Sequence, residues 1–216
     1  MTDNPYTLYY KLEVISLARM RGPRFKKCRR LNLNVCGHPN AMKRSNNGQA
    51  RDAKKLSPYG IQLLEKQRLR GYYEVMEKQF KRYVVSAKKS HEQTGIKLVQ
   101  MLECRLDNLV YRMNFARSIR QARQMVVHGH LLVNGKKVDI PSYAVAVGDV
   151  ITLGDSSRSL SLYRDNFFET SLFSLPYITY DLDNYAATIN RMPLRDEIPI
   201  EINDHLVVEF YATLTA

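Results

Sequence analysis

Residues 104–140 restrict the possible folds more than any other part of the chain, because signals for helix, cap and turn agree within them. Ser118, with Gln121 three positions later, forms a capping box, which predicts a helix that begins near Ile119. Gly129 is a typical residue for the C-terminal end of such a helix. The segment therefore predicts a helix of defined length that runs directly into the next element.

That next element is predicted to be a basic β-hairpin. The apolar run 131–133 leads into Asn134-Gly135, the strongest short hairpin signal, because both residues tolerate positive φ. Lys136 and Lys137 follow on the return strand. The stretch VAVGDVITL at 145–153 then predicts two further strands around a Gly-Asp turn.

Arginines accompany an apolar stripe on both helical patterns of this segment. The first stripe consists of Leu102, Leu106, Leu109, Val110 and Met113. The second consists of Ile119, Ala122, Met125 and Val126. Helical periodicity places Arg105, Asn108 and Arg112 beside the first stripe, and Arg120, Arg123 and Gln124 opposite the second. We expect the arginines to face solvent and to bind a polyanion; the alternative is an ordinary amphipathic helix pair with solvated charges.

The charge distribution supports a polyanionic partner. The 216-residue chain has a net charge of +12, and its pI is near 9.6. Residues 1–153 contain 29 Lys and Arg against 11 Asp and Glu, whereas residues 154–216 contain 4 against 10. This asymmetry predicts nucleic acid on the basic part and protein or solvent on the acidic part.

Residues 19–55 are predicted to form a basic arm. Seven cations surround Gly22-Pro23: Arg19, Arg21, Arg24, Lys26, Lys27, Arg29 and Arg30. Such a segment buries too little apolar surface to fold alone, so we expect it to become ordered against phosphate. A disordered basic tail is the alternative.

The remaining segments give coarser predictions. Ser57-Pro58 is a good helix start, and a helical region is expected to continue to about residue 87, loosened at Gly71. Residues 154–195 should form loops with one short helix or strand. The run 206–210 (LVVEF) predicts a strand that returns to the sheet.

Two short residue patterns suggest alternatives with different chemistry. Arg105-Leu106-Asp107 is similar to the tripeptide around the catalytic aspartate of pseudouridine synthases, but a tripeptide inside an amphipathic helix is weak evidence for catalysis. Cys28, Cys36 and His38 suggest a zinc site, but the spacing lacks a close cysteine pair and a fourth ligand. Phosphate-binding glycine loops and other catalytic motifs are absent from the sequence, which favours a binding protein.

No 18-residue apolar run is present, so no membrane span and no membrane partner are expected. Three cysteines fit a reducing compartment, and residues 1–18 do not have the pattern of a secretory signal.

Several motifs together resemble the bacterial-type small-subunit (30S) ribosomal protein S-four family. They are ARMRGPRFKKCRRL (18–31), LSPYGIQLLEKQRLRGYY (56–73), EKQFKRYV (77–84), the long stretch at 102–143, GDVITL (148–153) and the C-terminal EINDHLVVEFY. The stretch at 102–143 resembles an RNA-binding domain that also occurs in pseudouridine synthases, some tyrosyl-tRNA synthetases and heat-shock RNA binders. The arm and the helical block distinguish the ribosomal protein from those relatives.

The resemblance implies a structural, non-catalytic protein without a cofactor, located in cytoplasmic ribosomes, with an organellar ribosome as the second option. It implies a primary binder of 16S rRNA at a junction in the 5′ domain, which nucleates assembly of the 30S body and contributes to translational accuracy. Ribosomal protein S-five, other 30S proteins and mRNA near the entry channel are the implied further partners. The chain departs from the family in keeping only two arm cysteines and in lacking a Pro-Gly-Gln-His-Gly run near 44–55.

These observations predict an α+β fold: a basic extended N-terminal arm, a helical domain, and two helices packed on a small, mostly antiparallel sheet. The expected parts are an extension and arm (1–55), a helical domain (56–102), the RNA-binding domain (103–153), and an acidic segment whose final strand completes the sheet (154–216). The predicted RNA-binding residues are Arg21, Arg24, Lys26, Lys27, Arg29, Arg30, Lys66, Arg68, Arg70, Arg105, Arg112, Arg117, Arg120, Arg123, Gln124, His128, Asn134, Lys136 and Lys137.

Overall fold

A computed structural model describes residues 20, 22–43, 56–168 and 175–213 of the chain. It combines helices with one small antiparallel sheet, which confirms the predicted α+β class. The extension at 1–18 and Arg21 lie outside the described residues.

Nine α-helices make up about half of the described residues. They are α1 (Arg24–Leu31), α2 (Pro58–Tyr72), α3 (Glu77–Lys88), α4 (Thr94–Glu103), α5 (Leu106–Arg112), α6 (Ile119–His128), α7 (Asp155–Arg158), α8 (Ser161–Phe168) and α9 (Asp204–Thr213). Short 3-10 helices lie at Pro39–Met42 and Arg195–Glu197. No helix in these ranges combines the length and the apolar character needed to cross a bilayer.

The sheet has five strands in the order β2-β1-β3-β5-β4, all paired antiparallel. The strands are β1 (Leu131–Val133), β2 (Lys136–Lys137), β3 (Val150–Leu153), β4 (Ile178–Asp181) and β5 (Ala186–Ile189). The predicted hairpin is confirmed: Asn134 and Gly135 both have positive φ, at 49° and 75°. The Ser118 cap of α6 is also confirmed, since its Oγ accepts a hydrogen bond from the Gln121 amide at 3.3 Å.

Two main hydrophobic clusters organise the molecule. The first lies between α5, α6 and the sheet, with Leu109, Met125, Ile151 and Phe167 fully buried or nearly so. The second lies within α2, α3, α4 and α9. A smaller cluster around Cys28 and Leu31 packs α1 of the arm against α2. The arm is therefore attached to the helical part through apolar contacts.

The strand predicted at 206–210 is wrong, because these residues belong to α9. The Asn203 side chain accepts hydrogen bonds from the amides of His205 and Leu206 and so caps the start of the helix. Val207 and Phe210 are buried at helical spacing against the second cluster. The sequence pattern does not distinguish the two elements, because an apolar stretch of five residues fits a strand or a helix. β4 and β5, from the acidic segment, occupy the edge of the sheet instead.

Two predicted helical regions are interrupted. The region from residue 58 breaks between α2 and α3, where Glu74 adopts a positive φ of 47°. The stripe around Leu102 and Leu106 is divided between α4 and α5, because the backbone turns at Cys104 and Arg105. There Arg105 bridges to Ala144, and the Leu106 amide donates to the Tyr143 carbonyl at 2.9 Å. Both interruptions are stabilised by contacts that are distant in sequence.

Candidate nucleic-acid interface

Arg105 and Asp107 form a buried ion pair at the start of α5. The Arg105 guanidinium donates to both carboxylate oxygens of Asp107, at 3.0 and 2.9 Å, and a third donor reaches the Tyr83 hydroxyl at 2.7 Å. Arg105 is 3% exposed and Asp107 is fully buried. The prediction that Arg105 binds phosphate is therefore corrected, since its donors already meet a carboxylate inside the protein. Asp107 has the role of a structural counterion.

Arg112 is buried in the same way, against Glu103. Its Nε lies 2.6 Å from the Glu103 carboxylate, which also accepts hydrogen bonds from the hydroxyls of Tyr73 and Tyr177. Burial favours the neutral form of Glu103, but the Arg112 charge and these hydrogen bonds outweigh it, so the pKa of Glu103 lies below its ordinary value. The structure thus corrects the placement of Arg112 on the surface and makes it part of a network between the two main clusters.

The predicted cations of α2 are also engaged internally. Lys66 and Arg70 both contact Glu77, at 3.0 and 2.7 Å, and both are almost completely buried. Arg68 pairs with Glu65 at 2.6 Å and donates to the Leu31 carbonyl, which connects α2 to the arm. The structure corrects Lys66 and Arg70 as phosphate contacts, because removing them from their carboxylate would leave a buried charge unpaired.

Arg120 and Arg123 of α6 lie at the boundary of the helical part. Arg123 pairs with Asp107 at 2.6 Å and donates to the backbone carbonyls of Tyr73 and Glu74. Arg120 pairs with the Glu74 carboxylate at 2.8 Å and also donates to the Gly22 carbonyl, with 37% of its side chain exposed. Arg123 is thus mainly a link between the two parts, whereas Arg120 keeps a face toward solvent.

The remaining predicted side chains form the candidate surface. Exposed or partly exposed are Arg24, Lys26, Lys27, Arg29, Arg30, Arg117, Arg120, Gln124, His128, Asn134, Lys136 and Lys137. We call this set the basic surface. The Asn134 side chain of this set is held by two hydrogen bonds. Its nitrogen donates to the Asp149 carboxylate and its oxygen accepts from the Val150 amide, which fixes the turn. Within the described ranges, no carboxylate forms a salt bridge with the arm cations or with Lys136 and Lys137.

Lys27 differs from the other arm cations. Its ammonium group is largely buried near Glu74, Arg70 and Arg120, and burial lowers its pKa from 10.5 to about 8, with Glu74 acting in the opposite direction. Such a lysine is partly neutral near physiological pH. A phosphate bound next to Lys27 would favour the protonated ammonium group and so restore its positive charge.

The two arm cysteines lie on either side of one asparagine side chain. Both thiols lie near the Asn34 side-chain oxygen, at 3.9 Å for Cys28 and 3.6 Å for Cys36. The ring of His38 accepts a hydrogen bond from the Asn40 amide instead. Among the residues that the structure describes, no group of three His, Cys, Asp or Glu side chains is arranged to hold a metal ion.

Sequence reasoning missed the acidic partners of the arginines, and it placed one further basic face on the outside of a helix without counting it among the RNA contacts. The acidic partners are Glu74, Glu77 and Glu103, which lie in a basic part of the chain. Their position among basic residues is the one sequence signal that could have identified them. The basic face is on α3, where Lys78, Lys81, Arg82, Lys88 and Lys89 are exposed. Their helical spacing was visible, but nothing distinguished them from a solvated face.

A helix pair that precedes a basic hairpin, with a basic arm beside it, defines the class of RNA-binding proteins of this α+β type. Residues 104–151 match the family model of the S4 domain, and residues 19–103 match that of the ribosomal protein S4/S9 N-terminal domain. The chain belongs to the family of small ribosomal subunit protein uS4, which confirms the resemblance found in its motifs. This family is one of structural, non-enzymatic proteins, as predicted.

Three curated relatives cover almost the whole chain. Small ribosomal subunit protein uS4 of Finegoldia magna is 57% identical over 198 residues, 91% of this chain and 100% of its own length. Protein uS4B of Clostridium acetobutylicum is 50% identical over 91% of this chain and 99% of its own. Protein uS4 of Brevibacillus brevis is 46% identical over 91% of this chain and 100% of its own length.

Proposed function

We propose that this chain is a structural constituent of the small ribosomal subunit in the bacterial cytoplasm, where it binds 16S rRNA through the basic surface. Its relatives are named small ribosomal subunit proteins, which supports the assignment to that subunit. The observation that carries RNA binding is the separation of two kinds of cation. Those of α2, α4–α5 and Arg123 are neutralised within the protein, whereas those of the arm and the hairpin remain available to phosphate.

The proposal extends to the role that the family resemblance implies. The chain would be a primary binder of a junction in the 5′ domain of 16S rRNA and would nucleate assembly of the 30S body. Contacts with ribosomal protein S-five, other 30S proteins and mRNA near the entry channel would connect it to translational accuracy. The arm and the hairpin belong to separate structural units, so they can contact phosphates at separate positions. Such a surface suits a folded RNA junction, because structured RNA is recognised by its shape and by the positions of its phosphates.

The first test is the salt dependence of binding to a transcript of the 16S 5′ domain. Six to ten phosphate contacts predict a loss of roughly 10³- to 10⁵-fold in affinity between 50 and 200 mM salt. The double variant Lys136→Gln/Lys137→Gln should bind more weakly and with a smaller salt slope. The matched control is Lys88→Gln/Lys89→Gln on α3, which removes the same charge outside the basic surface. An equal loss in both variants would reduce the proposal to a nonspecific charge effect.

A second test addresses the place of the protein in the cell. Sedimentation of cell extracts should show the chain at one copy per 30S particle. A small, stress-dependent pool bound to a minority of particles would instead indicate a free-standing factor that uses the same RNA-binding unit.

A further inference from the structure

A groove lies where the arm, the helical part and the RNA-binding unit meet. The groove has a volume of about 170 Å³ and is open to solvent. Its walls come from α1 and the loop after it, the C-terminal end of α2, α5 and the start of α6. Its lining includes Arg24, Tyr72, Asn108, Tyr111, Ile119 and Arg120.

Asn108 provides an unsatisfied hydrogen-bond acceptor in this wall. Its side-chain nitrogen donates to the Glu103 carbonyl at 2.9 Å, which fixes the orientation of the amide. Its Oδ1 is buried and has no hydrogen-bond partner among the described residues. Asn108 is 1% exposed. Buried acceptors are normally paired, so an unpaired one at a groove indicates a place where a ligand N–H or O–H can bind.

The other walls supply aromatic rings and positive charge. Tyr72 and Tyr111 are partly buried and both line the groove, and aromatic side chains are the groups on which single bases stack. The loop of the arm approaches Tyr111 closely: a Cβ on Gly37 would lie 2.8 Å from the Tyr111 hydroxyl. Arg24 lines the groove with no salt bridge to a described carboxylate. Beside it, the Arg120 side chain is 37% exposed and pairs with Glu74, which also lines the groove. Aromatic rings, an orphan acceptor and two guanidinium groups together match the parts of a nucleotide.

We propose that this groove binds one unpaired nucleotide of the RNA. Its base packs against Tyr111 or Tyr72, an N–H or 2′-hydroxyl donates to Asn108 Oδ1, and the adjacent phosphate meets Arg24 and Arg120. The inference rests on the proposed function and assigns one position within it. Recognition of single unstacked bases by aromatic side chains and arginine is the usual way in which proteins read structured RNA.

The test fills the groove without a change of charge. In Ile119→Trp the larger ring projects from the first residue of α6 into the space of the base. The control is Leu162→Trp, which adds the same ring on the exposed face of α8. Affinity for the 16S 5′-domain transcript should fall about tenfold in Ile119→Trp, the scale of one lost base–aromatic contact, and remain at the wild-type level in the control.

Chemical probing of the transcript identifies the nucleotide. One unpaired nucleotide should be protected by wild-type protein and by Leu162→Trp, and become reactive with Ile119→Trp while the rest of the footprint persists. Ile119→Phe replaces Ile119→Trp if circular dichroism shows the latter to be unfolded. Should neither fold, ultraviolet cross-linking of the wild-type complex decides, with Tyr72 or Tyr111 as the expected cross-linked residue.

The outcomes separate the two proposals. A footprint and affinity unchanged in a folded filled variant would overturn the nucleotide site and leave RNA binding in place. Cross-links without Tyr72 and Tyr111 would do the same when the filled variants are unfolded. Failure of the wild-type protein to bind or protect the transcript would instead overturn the proposed function itself.

Discussion

At the scale of single residues, the role of a cation in this protein depends on whether a carboxylate of the protein pairs with it. Arg112 and Arg30 are both arginines of the basic part, yet Arg112 is buried against Glu103 whereas Arg30 is exposed. A guanidinium inside the protein is retained only with a paired charge and satisfied donors. Burial, and not residue type, therefore separates the structural cations from those that can meet RNA.

Glu103→Gln should strongly destabilise the fold. The substitution leaves the buried Arg112 charge unpaired, and breaking a buried pair in this way costs about 3–5 kcal/mol of unfolding free energy. Urea denaturation measures the loss. Glu92→Gln is the control, because its pair with Lys97 is exposed and should contribute less than about 1 kcal/mol. Similar losses in the two variants would contradict the structural role of the Arg112–Glu103 pair.

The same carboxylate predicts a pH dependence of stability. Since the pKa of Glu103 is lower in the folded protein than in the unfolded chain, its contribution is complete above the ordinary value of 4.5. The contribution is lost as the pH falls below that value. In Glu103→Gln the decline in stability below this pH should be shallower than in the wild-type protein.

Lys27 predicts a pH dependence of RNA binding. Its ammonium group loses its proton as the pH rises through about 8, so a contact with phosphate weakens above that pH, by at most about tenfold per pH unit. Lys27→Met should bind more weakly than the wild type at pH 7 and approach it at pH 9.5. Fluorescence anisotropy over this range tests the expectation, and parallel profiles for the two proteins would exclude a contact at Lys27.

At the scale of elements, local signals were reliable at several caps and turns. The first of the two strands predicted around Gly148-Asp149 is wrong, because only Val150–Leu153 forms a strand there. The start of α6 at Ser118, its end at Gly129 and the hairpin turn at Asn134-Gly135 all lie where the sequence predicted them. Each depends on hydrogen bonds or dihedral angles within a few residues. The breaks between α2 and α3 and between α4 and α5 depend on partners elsewhere in the chain, which explains why periodicity missed them.

Gly129→Ala should weaken the end of α6. Gly129 has a φ of 72°, and a non-glycine residue there costs about 1 kcal/mol of backbone strain. The added Cβ would also displace the flexible end of the Lys137 side chain, which lies 1.9 Å from its position. Gly22→Ala is the control, because no atom of the described residues beyond its chain neighbours would lie within 4 Å of the added Cβ. Thermal unfolding should show a lower Tm for Gly129→Ala alone.

Helix α9 illustrates the opposite case at this scale. The run 206–210 is short and apolar, and its preference between helix and strand is decided by the surface on which it packs. That surface is α2, where the Phe210 ring also lies 4.4 Å from the Lys66 ammonium nitrogen. The acidic C-terminal segment thus contributes two strands to the sheet and one helix to the helical part.

At the scale of the whole molecule, a polar network joins the two main hydrophobic clusters. Tyr73 belongs to the helical cluster and Tyr177 to the sheet cluster, and both hydroxyls donate to Glu103 at 2.7 and 2.9 Å. Arg123 adds a second connection from Asp107 to the end of α2. These contacts hold the helical part and the RNA-binding unit together beside the groove.

The network predicts cooperative unfolding. Hydrogen exchange in wild-type protein should give the same opening free energy for the most protected amides of α4 and of β3. Arg123→Met should lower protection more in one cluster than in the other, because it removes hydrogen bonds that cross between them. Arg164→Met on the exposed face of α8 is the control. Different opening energies in the wild type would show that the clusters unfold independently.

The sequence by itself determined the helix pair, its cap, the hairpin, the charge asymmetry and the family, because each is encoded by neighbouring residues or by motifs. Only the tertiary structure decided which cations face solvent. Arg120 meets Glu74 and Arg123 meets Asp107 from 46 and 16 residues away, and no helical period contains that information. The same long-range packing placed the unpaired oxygen of Asn108 in a groove, since burial of a polar atom depends on every element that surrounds it.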